Sequence, residues 1–423
     1  MPNESAAVFR RGDYLKITIL GFAVTALWQS LHTIILPLRL LDFVPEARKN
    51  TYLGLMTLAG LLLAMLVQPI AGAISDRSGL KRGRRRPYIL WGVIAALVVL
   101  PGVGLAGSFT VLFVVYCLLQ AATNTAQGPY QAFIPELVPE NRRGTASGVK
   151  SLLEVTGGVL FVYITGIFMD KYAPTAGRQW LWLSLGILGA ILLITMLTTI
   201  FSVREKPAAR EKITGSPFAE LARTVKEAAG NRDLVWFLVS RLLVYMAFTT
   251  IQQFALYYLR DVLGIAHAAQ ATASFTIFAV IGLVVTSWPA GHFSDKIGRK
   301  PLSAGAGLVG AVGILIILLG HSYGATLAAA LLIGMAIGTF NSANWALATD
   351  LVPQGQEARY LGIANMATTG GAALARAIGP LIDFFNNRVP LSGYNVMLIF
   401  CIAYFIIGAG LVLKIRGRAL KPG

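Results

Sequence analysis

Gly72-Ala-Ile-Ser-Asp76-Arg77-Ser-Gly79 and Gly291-His-Phe-Ser-Asp295-Lys296-Ile-Gly298 are two copies of one turn. Each closes a long apolar segment and leads into a basic run, Lys81-Arg82-Gly83-Arg84-Arg85-Arg86-Pro87 after the first and Arg299-Lys300-Pro301 after the second. A tight basic turn recurring between apolar segments in both halves describes a duplicated membrane topology, and internal repeats are common among transporters. A second pair of landmarks agrees. Pro135-Glu136-Leu-Val-Pro139-Glu-Asn-Arg142-Arg143-Gly144, leading to Gly148, aligns with Thr349-Asp350-Leu-Val-Pro353-Gln-Gly-Gln-Glu-Ala-Arg359, leading to Gly362. The acid and the later glycine stand equally far apart in both.

Composition supports a membrane chain. The 423 residues are 56% hydrophobic and 13% charged, too apolar for a soluble enzyme or a disordered chain. A net charge of +17 raises nucleic acid as a partner, but the basic residues sit in short bridges between apolar runs, where a positive-inside bias puts them. Nucleic acid is therefore not expected. Cys117 and Cys401 fall inside apolar segments and read as small hydrophobes. Pro2, Asn3, Glu4 and Arg10-Arg11 precede a long apolar run without a convincing cleavage site, which predicts an uncleaved first helix.

Twelve spans are expected, near 14–40, 51–74, 88–107, 109–136, 146–169, 179–202, 233–259, 269–292, 302–320, 323–349, 359–383 and 392–414, each close to the ~20 residues a helix needs to cross hydrocarbon. The predicted fold is all-α: two pseudo-symmetric six-helix bundles, 1–202 and 233–423, joined by a cytoplasmic linker, 203–232. Within the linker, Phe218, Leu221 and Val225 recur at helical spacing and suggest a short surface helix over Pro217–Ala229. If the N-terminus is cytoplasmic, the great majority of the 36 Lys and Arg fall on the cytoplasmic side. Both termini are therefore expected in the cytoplasm, with the chain multi-pass in the cell membrane.

With these landmarks the chain resembles the major facilitator superfamily over nearly its whole length. The loop pattern Gly-x-x-x-Asp-Arg/Lys-x-Gly-Arg-Arg/Lys is met at Gly72, Asp76, Arg77 and Gly79, and again at Gly291, Asp295, Lys296, Gly298, Arg299 and Lys300. The spaced first copy, ending Gly83-Arg84-Arg85-Arg86-Pro87, is similar to the sucrose-transporter branch and to the glycoside–pentoside–hexuronide cation symporters. The resemblance implies a cytoplasmic gate built from Asp76, Arg77, Arg84, Glu136, Arg142, Asp295, Lys296, Arg299, Asp350 and Arg359. The physics is consistent: an acid at a helix end can pair with an arginine in the neighbouring turn, and glycine lets the connection bend sharply.

Polar residues inside the spans mark the site, because a polar group in hydrocarbon is costly unless it faces a cavity or a partner. The fourth span carries Gln120, Asn124, Gln127 and Gln131 on one helical face. The first carries Thr25, Gln29 and His32; the seventh Arg241, Tyr245, Thr249 and Gln252; the tenth Asn341, Asn344 and Trp345. By resemblance these four helices line a central substrate cavity. Amides and aromatic rings, with Trp28 and Tyr257 nearby, suit a neutral hydroxylated ligand such as a sugar or glycoside, although amides can also simply join helices. The expected substrate contacts are Gln29, His32, Gln120, Asn124, Gln127, Arg241, Tyr245, Gln252, Asn341, Asn344 and Trp345. The sucrose branch is expected to carry an acid within its fourth span, where this chain offers only amides.

Glu154 and Arg241 each lie about 12 Å in from a cytoplasmic helix start, counting 1.5 Å per residue, and are placed to pair with each other. Glu154 is the first candidate for proton coupling, with a static pair to Arg241 or Lys150 as the alternative, and His32 is the second. Arg376 lies nearer the outer face, with Asp383 two turns on. Gly102-Val-Gly104-Leu-Ala-Gly107 and Gly305-Ala-Gly307-Leu-Val-Gly310 match a dinucleotide glycine pattern but lie within apolar spans, so they read as packing glycines. No metal-ligand cluster, nucleotide loop or nucleophile constellation is evident, so neither cofactor, metal nor enzymatic activity is expected. These readings converge on a secondary transporter, expected as a monomer in the bilayer, moving a sugar or glycoside with a coupling proton or cation by alternating access. An organic-anion transporter using Arg241 and Arg376, and an exporter of amphipathic compounds, are the transport alternatives; a membrane receptor or scaffold is the other.

Overall fold

A computed structural model describes residues 11–76, 78, 83–173, 176–203, 205, 226–351 and 357–416. The helices are α1 Arg11–Leu40, α2 Glu46–Asp76, α3 Arg86–Leu105, α4 Phe109–Leu137, α5 Glu140–Met169, α6 Arg178–Ser202, α7 Arg232–Asp261, α8 Ala268–Ile297, α9 Arg299–Gly320, α10 Tyr323–Leu351 and α12 Ser392–Leu413. These eleven are each long and apolar enough to cross a membrane. The remaining span, expected over 359–383, is interrupted. It comprises α11, Glu357–Ala375, then a 3-10 turn at Arg376–Ile378 and a further helix, Gly379–Asn386. Pro380 is the physical reason: it has no N–H to give the Arg376 carbonyl, so the α-helical ladder stops there. Among the described residues there is no strand.

Ends are fixed by local chemistry. Ser108 caps α4 through its hydroxyl, which accepts from the Val111 N–H at 3.3 Å. Asn231 caps α7, accepting from Asp233 and Leu234. Gly298, at φ 101°, makes the turn between α8 and α9 that the repeated motif requires, a conformation costly for any residue with a Cβ. The surface helix expected in the linker falls mostly outside the described residues; 226–230 is helical.

The chain divides into two compact units, Met1–Phe43 with Ala59–Lys212, and Val44–Leu58 with Ile213–Gly423. The duplication is visible within each. In the first unit α1 packs on α5 and α6, α3 on α4 and α6; in the second α7 packs on α11 and α12, α9 on α10 and α12. Large apolar side chains such as Trp91, Leu105, Val98 and Trp288 point outward and remain exposed, as lipid-facing residues would.

One segment crosses the sequence division. Val44–Leu58, the first half of α2, packs with the second unit. Gly54 lies against the Arg376 carbonyl, which accepts the Gly379 N–H of the 3-10 turn in place of an α-helical bond, and Gly379 lies against the Asn50 carbonyl. Neither position has space for a Cβ.

Candidate functional site

In the first unit the amide stripe becomes a hydrogen-bonded chain. Gln120 Nε2 donates to the Tyr116 hydroxyl at 2.9 Å, and Asn124 Nδ2 donates to Gln120 Oε1 at 3.0 Å. His32 Nε2 lies 3.0 Å from the same hydroxyl, and the Trp28 ring stands 5.1 Å from the imidazole, centroid to centroid. His32 and Gln120 therefore meet at Tyr116, with Asn124 joined through Gln120; Tyr116 is fully buried and its ring fills the space beside Gly60. Tyr116 was not singled out, although it is one turn before Gln120 on the same face. His32 owes its position to a π-helical turn, Leu31–Ile35. Pro37 cannot donate to the Thr33 carbonyl, and the Leu36 N–H reaches back to the Leu31 carbonyl instead, five residues away. Gln29 packs over Gly158, whereas Gln127 is half-buried and Gln131 exposed.

Glu154 sits in a notch between α1, α4 and α5. A Cβ at Gly21 would stand 2.9 Å from Glu154 Oε1 and 3.0 Å from the Tyr130 hydroxyl. That hydroxyl donates to the Thr18 carbonyl at 2.7 Å. Lys150 Nζ lies 3.7 Å from Glu154 Oε1 and also faces the Tyr130 ring. The carboxylate thus has one loosely held cation and is not locked into a tight bidentate pair.

In the second unit the stripes of α7 and α10 converge. Arg241 is 2% exposed. Its Nε donates to Thr368 Oγ1 at 2.8 Å and its Nη1 to Asn344 Oδ1 at 2.6 Å. The guanidinium carbon lies 4.8 Å from the Trp345 ring centroid and 5.2 Å from that of Tyr245, and the Tyr245 hydroxyl donates to Asn341 Oδ1 at 3.0 Å. Five expected contact residues thus form one cluster, together with Thr368 of α11. Thr368 was not singled out, because one hydroxyl in a small-residue stretch gives no periodic signal. Gln252 lies elsewhere on α7 and lines an apolar hollow with Phe248, Phe275 and Ile333. Arg376 Nη1 bonds the Ala372 carbonyl of its own helix.

The repeated turns form matching charge networks inside each unit. Arg85 pairs with both Asp76 and Glu136, and also donates to Ser75 Oγ at 2.7 Å; Arg84 reaches Glu136 at 2.5 Å. Burial works against the Arg85 charge, but Glu136 and Asp76 outweigh it and hold the guanidinium protonated above its ordinary range. In the second unit Arg299 pairs with Asp350 and approaches Asp295 at 3.9 Å. Each network links an acid ending the second helix of the unit, an arginine at the start of the third and an acid ending the fourth. Arg85 was missed because three arginines follow one another. Glu205 was missed too; its carboxylate accepts from the Arg85 and Arg86 N–H groups at 2.8 and 2.7 Å, capping α3. Lys296 is exposed, and Arg142 ends the 3-10 turn Glu140–Arg142 that opens α5. Arg77 and the Arg359 side chain lie outside the described residues.

The MFS/sugar transport protein family matches residues 18–420, nearly the whole chain. The chain is a member of that family. It is a major facilitator protein, and this family is one of transporters, not enzymes. Relatives of this family member include the minor myo-inositol transporter IolF of Bacillus subtilis (strain 168), 26% identical over 139 residues, 32% of this chain and 30% of that protein. Sucrose transport protein SUT2 of Oryza sativa subsp. indica is 28% identical over 237 residues, 48% of this chain and 47% of that protein. The matched segments thus span less than half the length of these relatives. Among solved structures, the D-xylose-proton symporter superimposes with a TM-score of 0.73 at 15% identity, over 96% of this chain and 98% of that one. The nucleoside transporter NupG gives 0.74 at 14% identity, over 95% and 98%. At these identities the likeness is one of fold.

This family member also carries a polar cluster that the motif reading did not anticipate. In the second unit, Lys49 Nζ binds Asp261 Oδ2 at 2.5 Å and Glu46 at 2.6 Å, and Arg260 Nη2 reaches both Glu46 oxygens at 2.7 Å. Tyr394 donates to Asp261 at 2.5 Å; Asp383 accepts from Asn50 Nδ2 at 2.8 Å and from the Thr51 N–H at 2.6 Å. In sequence these residues fall in short stretches far apart along the chain, where the charged ones read as ordinary interfacial charges.

Proposed function

We propose that the chain is a secondary transporter of a sugar or glycoside, driven by a proton and working by alternating access across the cell membrane with both termini in the cytoplasm. The observation that carries the sugar reading is the cluster on α7 and α10. It combines the amides of Asn341 and Asn344, the Tyr245 hydroxyl and the aromatic rings of Tyr245 and Trp345, the groups that hold hydroxyls and pack on sugar rings. Sucrose and myo-inositol transport by the named relatives supports the same substrate class. The proton reading rests on Glu154, a carboxylate within a span whose one ion pair among the described residues is with Lys150 at 3.7 Å. The bias of Lys and Arg supports the orientation.

The test is uptake into proteoliposomes. Counterflow of a labelled sugar establishes transport without a driving force, and an imposed inward proton gradient should accelerate net uptake. Loss of gradient-driven uptake with retained counterflow in Glu154→Gln is the expected result. Gradient-driven uptake equal to that of the unmodified protein would remove Glu154 from the coupling role, and absence of counterflow with every sugar would overturn the substrate class.

A further inference from the structure

The second unit buries a cation that has no counter-ion among the described residues. Among the described residues of that unit no carboxylate lies within ion-pair distance of Arg241, whose two bonded nitrogens face the neutral oxygens of Thr368 and Asn344. Its Nη2 makes no hydrogen bond among the described residues. Beside it, Asn344 is fully buried and its Nδ2 has no hydrogen-bond partner. The amide cannot turn to relieve this, because its oxygen is held by the guanidinium. The result is a surplus of donors and of positive charge in one place, costly unless an acceptor arrives.

We infer that Arg241 and the Asn344 amide form the anchor for a single carboxylate on the transported molecule, so that the cargo is a sugar acid and not a neutral sugar. This rests on the sugar-transport reading above and sharpens it. A guanidinium edge with an adjacent N–H donor is the arrangement that a planar carboxylate meets with parallel hydrogen bonds. The described residues supply one positive charge there, which balances a monoanion; a doubly charged phosphate ester would leave a charge uncompensated. The half-buried rings of Tyr245 and Trp345 hold the guanidinium in place and provide apolar surface for the rest of the molecule.

The experiment measures binding to the purified full-length protein at constant ionic strength, using glucose, methyl glucoside, glucuronate, gluconate, glucose 6-phosphate and acetate as probes. Glucuronate or gluconate should bind and raise the unfolding temperature with concentration. Affinity should fall roughly tenfold or more in Arg241→Gln, the loss expected when a charge-assisted hydrogen bond is removed. Asn344→Ala, which keeps the arginine, gives the same test where the glutamine variant does not fold; it should weaken binding of the sugar acids by a larger factor than any binding of glucose. Preference for glucose or methyl glucoside with undiminished affinity in both variants would overturn the carboxylate anchor and leave sugar transport standing. Acetate binding as tightly as the sugar acids, lost in Arg241→Gln, would keep the anchor and overturn the sugar reading. Preference for glucose 6-phosphate would overturn the single-charge argument, and failure of every probe to bind would overturn the inference.

Discussion

At Gly21 a single added methyl group would stand 2.9 Å from Glu154 Oε1, closer than real Cβ contacts allow. Gly21→Ala should therefore displace the carboxylate from its notch beside Tyr130 while leaving α1 helical, since alanine is the better helix former. The expected outcome is a reduced response of uptake to an imposed pH gradient with counterflow largely retained; an unchanged response would mean that the notch does not position the acid. Tyr116 gives a complementary case. Removing its hydroxyl in Tyr116→Phe strands the buried Gln120 amide donor, at a cost of about 1–3 kcal/mol, and should lower the unfolding temperature of the purified protein. Glu154 and His32 are visible in sequence because a titratable residue within an apolar run stands out. Gly21, Tyr116 and Thr368 are not, because their roles depend on which helix lies opposite, and a single chain does not state its neighbours.

Helices were the most legible level, since long apolar runs bounded by Gly, Pro and charge leave few alternatives. The interruptions were less so. Pro37 and Pro380 are plain in the sequence, but whether a proline bends a helix, forms a π turn or ends it depends on what satisfies the open carbonyl. In α1 it produced a π turn that carries His32; after α11 it left the Arg376 carbonyl facing Gly54. Close helix contacts form another class that composition hints at without locating. Gly334 and Gly338 of α10 lie against the carbonyls of Ala279 and Leu283 on α8, with no space for a side chain. Gly334→Ala should destabilise the protein by about 1–3 kcal/mol through overpacking. Gly186→Ala in α6, where no atom lies within 4 Å, should be tolerated. Equal thermal stability of the two variants would show that α8 and α10 can separate without cost.

Across the whole molecule the duplication organises both packing and charge. Asp76, Arg85 and Glu136 in one unit occupy the same helix ends as Asp295, Arg299 and Asp350 in the other. The sequence announced the acids and the turns, but the inserted residues of the first copy moved the working arginine to Arg85, which motif alignment alone does not locate. Asp76→Asn should slow transport several-fold while leaving equilibrium substrate binding intact, because it weakens a charge network that shares no residue with the α7 and α10 cluster. Abolished binding with unchanged reactivity of cysteines introduced into the loops would contradict that reading.

Val44–Leu58 gives the protein a schedule for its own biosynthesis. Lys49 is made early but its partner Asp261 lies in α7, and the Asn50 partner Asp383 comes later still. At about 5–20 residues per second a ribosome needs on the order of ten seconds or more to supply them. Until then Lys49 and Asn50 must stay at the membrane surface or find temporary company, and the second unit cannot close around a segment it did not encode. Severing the chain in the linker and producing the later half alone would accordingly yield a bundle with Asp261 and Asp383 left without these partners, and adding the earlier half should restore its order.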